Sequence, residues 1–417
     1  MENKKRVLFK NTTMLYILTF STYLMSFIVV PYETRVLGPE KFGLIGLAAA
    51  IMTYAQLAID FGFLLSATQE VSANRDDRRK VSSIFTCVTV NKLLISVVTF
   101  FVVMLICGNV ELWKEHIQFF GLFFISTMLQ SLLPDYLYRG IEKMGAITIR
   151  TVLIKLFFTV MVFVLIKGPE DYLFIPILQI IGNGIALLFV YLHLFFKEKI
   201  FFVRFCVKDL LNRFKASAVF FLSRIATTVY TVANTIILDL FYEGKMTAYY
   251  TSANRLISTA KGGLSPISDS LYPYMVRNRD FKMVKKVLLI IEPIVILGCA
   301  VLFIWAKPFC IWFFGAEYEA SAPILRVLLP IVVITLPNYI MGFPVLGAMG
   351  LNKQANYSVV FGSVVHIINL LVLYFSDNLS VISLGIATAI TDAVILAYRC
   401  FIVYKNRHLL ASCDDEV

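Results

Sequence analysis

Three basic side chains stand inside stretches that otherwise read as apolar: Arg224, Arg255 and Lys261. A guanidinium offers a fixed fork of N–H donors that matches phosphate oxygens, and an ammonium acts as a point charge. Such groups bind anions. Two of the three belong to one pattern. Thr247, Thr251, Asn254, Ser258, Lys261, Ser265 and Ser268 recur at alternating steps of four and three, which puts them on one stripe of an α-helix. Arg255, Thr259, Gly262 and Asp269 form the adjacent row, leaving Ile257, Ala260, Leu264 and Ile267 for the apolar side.

Similar polar rows occur in three other stretches. Thr12, Tyr16, Thr19, Tyr23 and Ser26 share a face, as do Gly46, Ala49, Thr53, Gln56 and Asp60. Arg224, Thr227, Thr228, Thr231, Asn234 and Thr235 occupy one broad face of a third. Ser and Thr stripes also serve simply to let helices approach and hydrogen-bond. By that plainer reading Asp60 pairs with a basic residue across a helix interface and Asp269 is an interfacial charge. Lys155, Arg326 and Asp392 read as isolated charges that snorkel or pair, and His366 as a packed side chain.

The elements that carry these rows are set by composition. The chain has 417 residues, 59% hydrophobic and only 16% charged, with a mean hydropathy of +0.79. Soluble proteins are about half apolar and about a quarter charged, so this composition marks an all-α polytopic membrane protein. A membrane span takes about 20 apolar residues. Twelve are predicted, near 13–32, 43–65, 84–107, 116–138, 149–166, 172–196, 214–241, 247–271, 286–306, 322–345, 356–375 and 380–404. The stretch after Met1-Glu2-Asn3-Lys4-Lys5-Arg6 is too long for a signal peptide and lacks an A-x-A site, so it is expected to stay as the first span. A charge at mid-bilayer costs several kcal/mol, so Arg255 and Lys261 are expected to face a partner or a water-filled cavity.

The net charge of +11 sits mostly in short loops and points to topology rather than to nucleic acid. Basic loops alternate with poor ones, roughly 25 Lys and Arg on one side against roughly 6 on the other, which predicts both termini cytoplasmic. The seven cysteines have no ligand spacing and the four histidines are scattered, so neither a disulfide framework nor a metal site is expected. No Walker A motif occurs, and nothing reads as an enzyme or as holding a cofactor.

The basic connection 197–215 divides the chain into an N-terminal six-helix lobe, 1–205, and a C-terminal six-helix lobe, 206–417. The first two helices with their Gly38-Pro39-Glu40-Lys41 turn match the seventh and eighth with Tyr242-Glu243-Gly244-Lys245, a parallel repeat. Two lobes facing each other through helices 1, 2, 7 and 8 would enclose a hydrophilic cavity with Arg224, Arg255 and Lys261 as its cations.

Several stretches resemble the Wzx-type O-antigen and exopolysaccharide flippases of bacteria, in the superfamily that includes the MATE exporters. The most specific runs from Pro31-Tyr32-Glu33-Thr34-Arg35 through Leu37-Gly38-Pro39-Glu40 to Phe42-Gly43. Asp60-Phe61-Gly62-Phe63 with Ala67-Thr68, Gly140-Ile141-Glu142-Lys143, Ala253-Asn254-Arg255-Leu256 and Leu271-Tyr272-Pro273 match in type and order. The resemblance implies two six-helix lobes around a central cavity, with Arg224, Arg255, Lys261, Asn254, Ser258, Tyr23, Arg35, Thr231 and Asn234 as candidate cavity residues. It implies movement of an undecaprenyl-diphosphate-linked oligosaccharide from the cytoplasmic to the periplasmic leaflet of the inner membrane by alternating access. Coupling to an H+ or Na+ gradient or the membrane potential is implied too, with Asp60, Glu70 and Asp269 as candidates, as are the polysaccharide polymerase and the chain-length regulator as partners. A multidrug or cation antiporter of the same superfamily is the first alternative, although a cationic drug suits an acidic, aromatic cavity better. An integral membrane polymerase is the second, but its usual large external loop has no counterpart in the short connections near 108–115 and 307–321.

Overall fold

The structure, a computed structural model, describes residues 2–242, 244–278 and 280–407. Within them, the side chains of 2–12, 15, 219, 222–223, 226–227, 229–231, 273 and 277–278 lie outside the described set. Every regular element among the described residues is helical. Contacts divide the chain into two compact units, unit 1 comprising 1–29 and 45–228 and unit 2 comprising 30–44 and 229–417.

Unit 1 starts with α1 (Glu2–Asp60), whose helical run is broken at one residue, Gly38, with φ 70° and ψ 172°. The left-handed φ costs Gly nothing, and Pro39 then opens the next helical turn with its φ already fixed. The expected loop at 38–41 is therefore a single-residue kink, and segment 30–44 counts with unit 2. The expected second span ends early. Phe61 and Gly62 adopt positive φ and end α1, and α2 (Phe63–Ala73) starts anew. A Cβ on Gly62 would lie 2.5 Å from the Ser217 carbonyl oxygen, so this turn needs glycine for space as well as for φ.

α3 (Arg78–Asn109) is capped by Asp77, whose carboxylate accepts from the N–H groups of Arg79 and Lys80, each at 3.1 Å. After the short α4 (Glu111–Lys114) comes α5 (Ile117–Ser131), and Pro134 separates it from α6 (Asp135–Gly140). The expected fourth span is thus two helices, because the residue before a proline is pushed out of the α region. α7 (Met144–Leu165) and α8 (Phe174–His193) follow. The core of unit 1 joins Phe63 and Val71 of α2, Phe85 and Val88 of α3, Tyr136 and Tyr138 of α6, and Ala186 of α8.

α9 (Val207–Phe241) belongs to unit 1 up to Thr228 and to unit 2 from Val229. Contacts thus divide the chain at 228/229, whereas the basic connection divides it at 205/206. The first half of α9 is held in unit 1 by Asn91, which donates to the Leu210 carbonyl at 3.2 Å, and by the Arg213–Glu70 ion pair.

In unit 2, α10 (Gly244–Asn278) is followed by α11 (Phe281–Ile304), α12 (Ala306–Phe314), α13 (Ser321–Ile340), α14 (Asn352–Phe375) and α15 (Val381–Lys405). α13 passes into a π-helical turn over Met341–Gly347. The core joins Leu238, Ala248, Ala253 and Ile257 to Phe314, Leu325 and Leu328, and Val30 and Phe42 of α1 pack into it.

Nine stretches among the described residues are long and apolar enough to cross a membrane. They hold ten of the twelve expected spans, because Tyr16–Ala73 takes the first two. The other two are the polar helices α9 and α10, each of 35 residues. At 1.5 Å per residue each is about 52 Å long, more than the hydrocarbon thickness of a bilayer, and the described side chains of α9 include the apolar run Val232–Phe241. None of the apolar window of α11 is buried, and Phe101, Leu105, Phe189 and Leu297 are all at least 66% exposed. Apolar faces turned outward on this scale need lipid around them.

Candidate functional site

Unit 1 holds a polar cavity of about 530 Å³. Its walls follow helical spacing. Gln56 and Asp60 lie one turn apart on α1, Gln179 and Asn183 on α8, Asp135 and Arg139 on α6, and Arg150 and Ile154 on α7. Lys92 enters from α3, Ser131 from the end of α5, Lys155 from α7 and Arg224 from α9. The lining carries five basic side chains (Lys92, Arg139, Arg150, Lys155, Arg224) and two acidic ones (Asp60, Asp135), an excess of three positive charges.

Two of the five have carboxylate partners within the lining. Lys92 Nζ lies 2.8 Å from Asp60 Oδ1 and donates to the Ser131 carbonyl at 2.6 Å. Arg150 lies 2.8 Å from Asp135 Oδ1 and 3.3 Å from the Thr151 hydroxyl. Arg139 and Arg224 have no carboxylate within ion-pair distance among the described residues. The buried Nε–H groups of Arg139 and Arg150 and the Ser131 hydroxyl lack hydrogen-bond partners there.

A second, smaller feature of unit 1 lies beside the Gly62 turn. Arg213 grips Glu70 with two nitrogens, Nη2 at 2.9 Å and Nε at 3.1 Å, and the Ser66 and Ser217 hydroxyls meet at 2.6 Å. Phe61 stacks on Phe214 and Phe221 with ring centroids 4.2 and 4.5 Å away. Glu70 is thus a paired carboxylate.

Unit 2 carries Arg255 and Lys261, and each has an acid beside it. Arg255 approaches Glu33 at 3.4 Å and lies 5.0 Å from the centre of the Phe42 ring. Lys261 lies 3.1 Å from Asp392, so of the two expected outcomes, snorkelling or pairing, Asp392 pairs. Arg35 donates to the Trp312 carbonyl and packs over Gly315, tying segment 30–44 to α12. Thr34 adds a 2.8 Å bond to the Phe314 carbonyl.

Asn234 sits in a buried polar network. Its amide nitrogen donates to the hydroxyls of Thr388 (2.7 Å) and Tyr250 (3.1 Å), and its Oδ1 faces His366 Nε2 at 3.1 Å. His366 Nδ1 meets the Thr391 hydroxyl at 3.0 Å. His366 is packed, as expected, but by polar contacts joining α9, α14 and α15.

The other predicted residues are dispersed. Tyr23 of unit 1 and Asn254 of unit 2 are half-buried, and Ser258 and Asp269 are exposed on α10. The Thr231 side chain lies outside the described residues.

Of the predicted site residues, the unit 1 cavity therefore gathers Arg224 and Asp60 and joins them to Lys92, Arg139 and Arg150, which sequence reasoning passed over. Arg139 reads in sequence as a loop charge and Arg150 as the edge of a span. Lys92 gave a usable signal, a lysine in the middle of the apolar run from Val88 to Val98.

A family described as polysaccharide biosynthesis protein matches residues 8–279. A protein of Shigella dysenteriae named as an O-antigen transporter is 27% identical over 365 residues, covering 86% of this chain and 91% of its own length. Another so named, from Escherichia coli strain K12, is 25% identical over 412 residues and 96% of each chain. Among solved structures, the lipid II flippase MurJ in an inward closed conformation is similar with a TM-score of 0.73 at 15% identity, over 93% of this chain and 87% of that one. An inward-facing multidrug resistance MATE transporter of the MOP superfamily reaches 0.67 at 13% identity, over 94% and 96%. At such identities the solved structures speak for the fold, which is that of a MOP-like polytopic membrane protein.

Proposed function

The chain belongs to the polysaccharide biosynthesis protein family, and from that premise we propose that it is a flippase. Its cargo is an undecaprenyl-diphosphate-linked oligosaccharide repeat unit of O-antigen or a related polysaccharide, moved from the cytoplasmic to the periplasmic leaflet of the bacterial inner membrane. The observation that carries this reading is the unit 1 cavity: polar, net positive, and enclosed by helices whose outer faces are apolar. A chain that only needed to sit in lipid would not retain five basic side chains in one interior, since each is costly there. The excess of positive charge favours an anionic cargo over the cationic drugs of the antiporter alternative.

The names of the Shigella and Escherichia coli relatives support the same reading. Transport proceeds by alternating access, driven by an H+ or Na+ gradient or the membrane potential, with Asp60, Glu70 and Asp269 as the carboxylates to examine for coupling. The basic loops put both termini in the cytoplasm. The two six-helix lobes, 1–205 and 206–417, are the moving bodies of this scheme, and the polymerase and chain-length regulator act on the delivered repeat units.

The test is deletion of the gene in its host, in a strain without a second flippase. Loss of all surface repeat units with lipid-linked units accumulating inside is the expected result. A core carrying a single repeat would point to a polymerase instead, and an unchanged ladder to an antiporter.

A further inference from the structure

We propose that the unit 1 cavity contains an oxyanion subsite in which Arg139, Arg150 and Arg224 hold a phosphate or diphosphate group. The proposal rests on the flippase reading and assigns its anionic end to residues of unit 1, apart from the polar stripe of α10.

Charge is the first argument. Asp60 and Asp135 compensate Lys92 and Arg150, and no carboxylate lies within ion-pair distance of Arg139 or Arg224 among the described residues. A positive excess in a low-dielectric interior draws in a counter-anion.

Unmet donors are the second argument. Buried polar groups are nearly always hydrogen-bonded, and an unsatisfied donor costs free energy, more so on a charged group. The Nε–H groups of Arg139 and Arg150 and the Ser131 hydroxyl are buried without partners, and all three residues line this one cavity. What is missing is a group with several acceptor oxygens and negative charge. Phosphate oxygens meet both needs, and the planar guanidinium fork matches their spacing. The amides of Gln130, Gln179 and Asn183 line the same space and suit sugar hydroxyls.

Size is the third argument. About 530 Å³ is within the ordinary range for small-ligand sites. It holds a diphosphate and an attached sugar, and leaves a longer repeat and the lipid tail outside. Position agrees as well. Arg139 stands in α6 near the end of the Ile117–Gly140 stretch, the end that the charge pattern assigns to the cytoplasm, the side on which lipid-linked units are made.

A lipid headgroup and a free phosphate offer the same chemistry, so the test separates them. The full-length protein in phosphatidylcholine nanodiscs is titrated with farnesyl diphosphate, with inorganic diphosphate, and with farnesol as the uncharged control. Arg139→Gln and Arg224→Gln are the variants, because neither breaks the Lys92–Asp60 or Arg150–Asp135 pair; unchanged thermal unfolding shows that each is folded. The expected result is binding of farnesyl diphosphate but not farnesol, weakened about tenfold or more by either variant. Binding of inorganic diphosphate with the same sensitivity also supports the subsite and shows that a free anion suffices. Farnesol binding as well as farnesyl diphosphate, no diphosphate binding, or binding untouched by both variants overturns the proposal. The flippase reading is judged separately, by the deletion phenotype: lipid-linked units accumulating in the deletion strain while both variants restore the full ladder would remove the subsite and leave the flippase.

Discussion

Lys92 and Asp60 form a 2.8 Å ion pair inside unit 1, with the lysine 6% and the aspartate 17% exposed. The same ammonium donates to the Ser131 carbonyl just before the chain breaks at Pro134. One ammonium therefore ties α3 to the end of α1 and to the end of α5.

Removing either charge strands the other in a low-dielectric interior. Lys92→Met and Asp60→Leu should each cost about 3–5 kcal/mol, and the double variant much less than the sum. Thermal unfolding in detergent, with the yield of monodisperse protein, measures this. Additive losses would show that the two groups do not interact.

Arg255–Glu33 and Lys261–Asp392 are opposed charges on different elements of unit 2. Charge reversal at one member should therefore lower surface polysaccharide several-fold, and reversal of both should restore most of it. Arg255→Glu with Glu33→Arg, and Lys261→Asp with Asp392→Lys, are the swaps, scored on the repeat-unit ladder in cells. A swap as defective as its single parents would mean that the cation at that position is needed for something other than its partner.

Two glycines should respond oppositely to a methyl group. A Cβ on Gly43 would stand 2.1 Å from the Gly244 carbonyl oxygen and 3.2 Å from the Ala248 nitrogen, so backbone would have to move. Gly43→Ala should cost about 1–3 kcal/mol or more. Gly263 lies in α10 with nothing within 4 Å of its Cβ position, and Gly263→Ala should be neutral or gain about 0.5–1 kcal/mol from helix propensity. Unfolding temperatures of the pair decide it, and equal shifts would contradict the close approach of α1 and α10.

The Asn234–His366 contact is buried, with both side chains nearly inaccessible. Replacing either by leucine leaves the other with an unmet group at a cost of about 1–3 kcal/mol. The double replacement should fall short of the sum by roughly 0.5–3 kcal/mol, the signature of a shared bond. A double-mutant cycle on unfolding in detergent reads the coupling, and zero coupling would exclude the bond.

Much of the fold was legible in the sequence because the bilayer imposes a simple length rule. Ten of the twelve expected spans coincide with apolar helical stretches. Boundaries inside those runs were less legible. Phe61-Gly62 and Pro134 interrupt helices that hydropathy alone carries straight through. The polar faces of α9 and α10 were visible from the steps of four and three, but a stripe says only that something polar must lie opposite. For Arg255 and Lys261 that neighbour is a carboxylate of unit 2, Glu33 or Asp392.

The sequence by itself determined that the chain is helical and membrane-embedded, where its spans fall, and which helices are too polar for lipid. Those properties follow from local composition and periodicity, which act within about 20 residues. Only the tertiary structure decided which charges meet. Lys92 and Asp60 are 32 positions apart, Arg255 and Glu33 are 222, and Lys261 and Asp392 are 131. Periodicity fixes the face of a helix but not its neighbour. The neighbour is chosen by packing, and packing left Arg139 and Arg224 in the unit 1 cavity without a carboxylate of their own among the described residues.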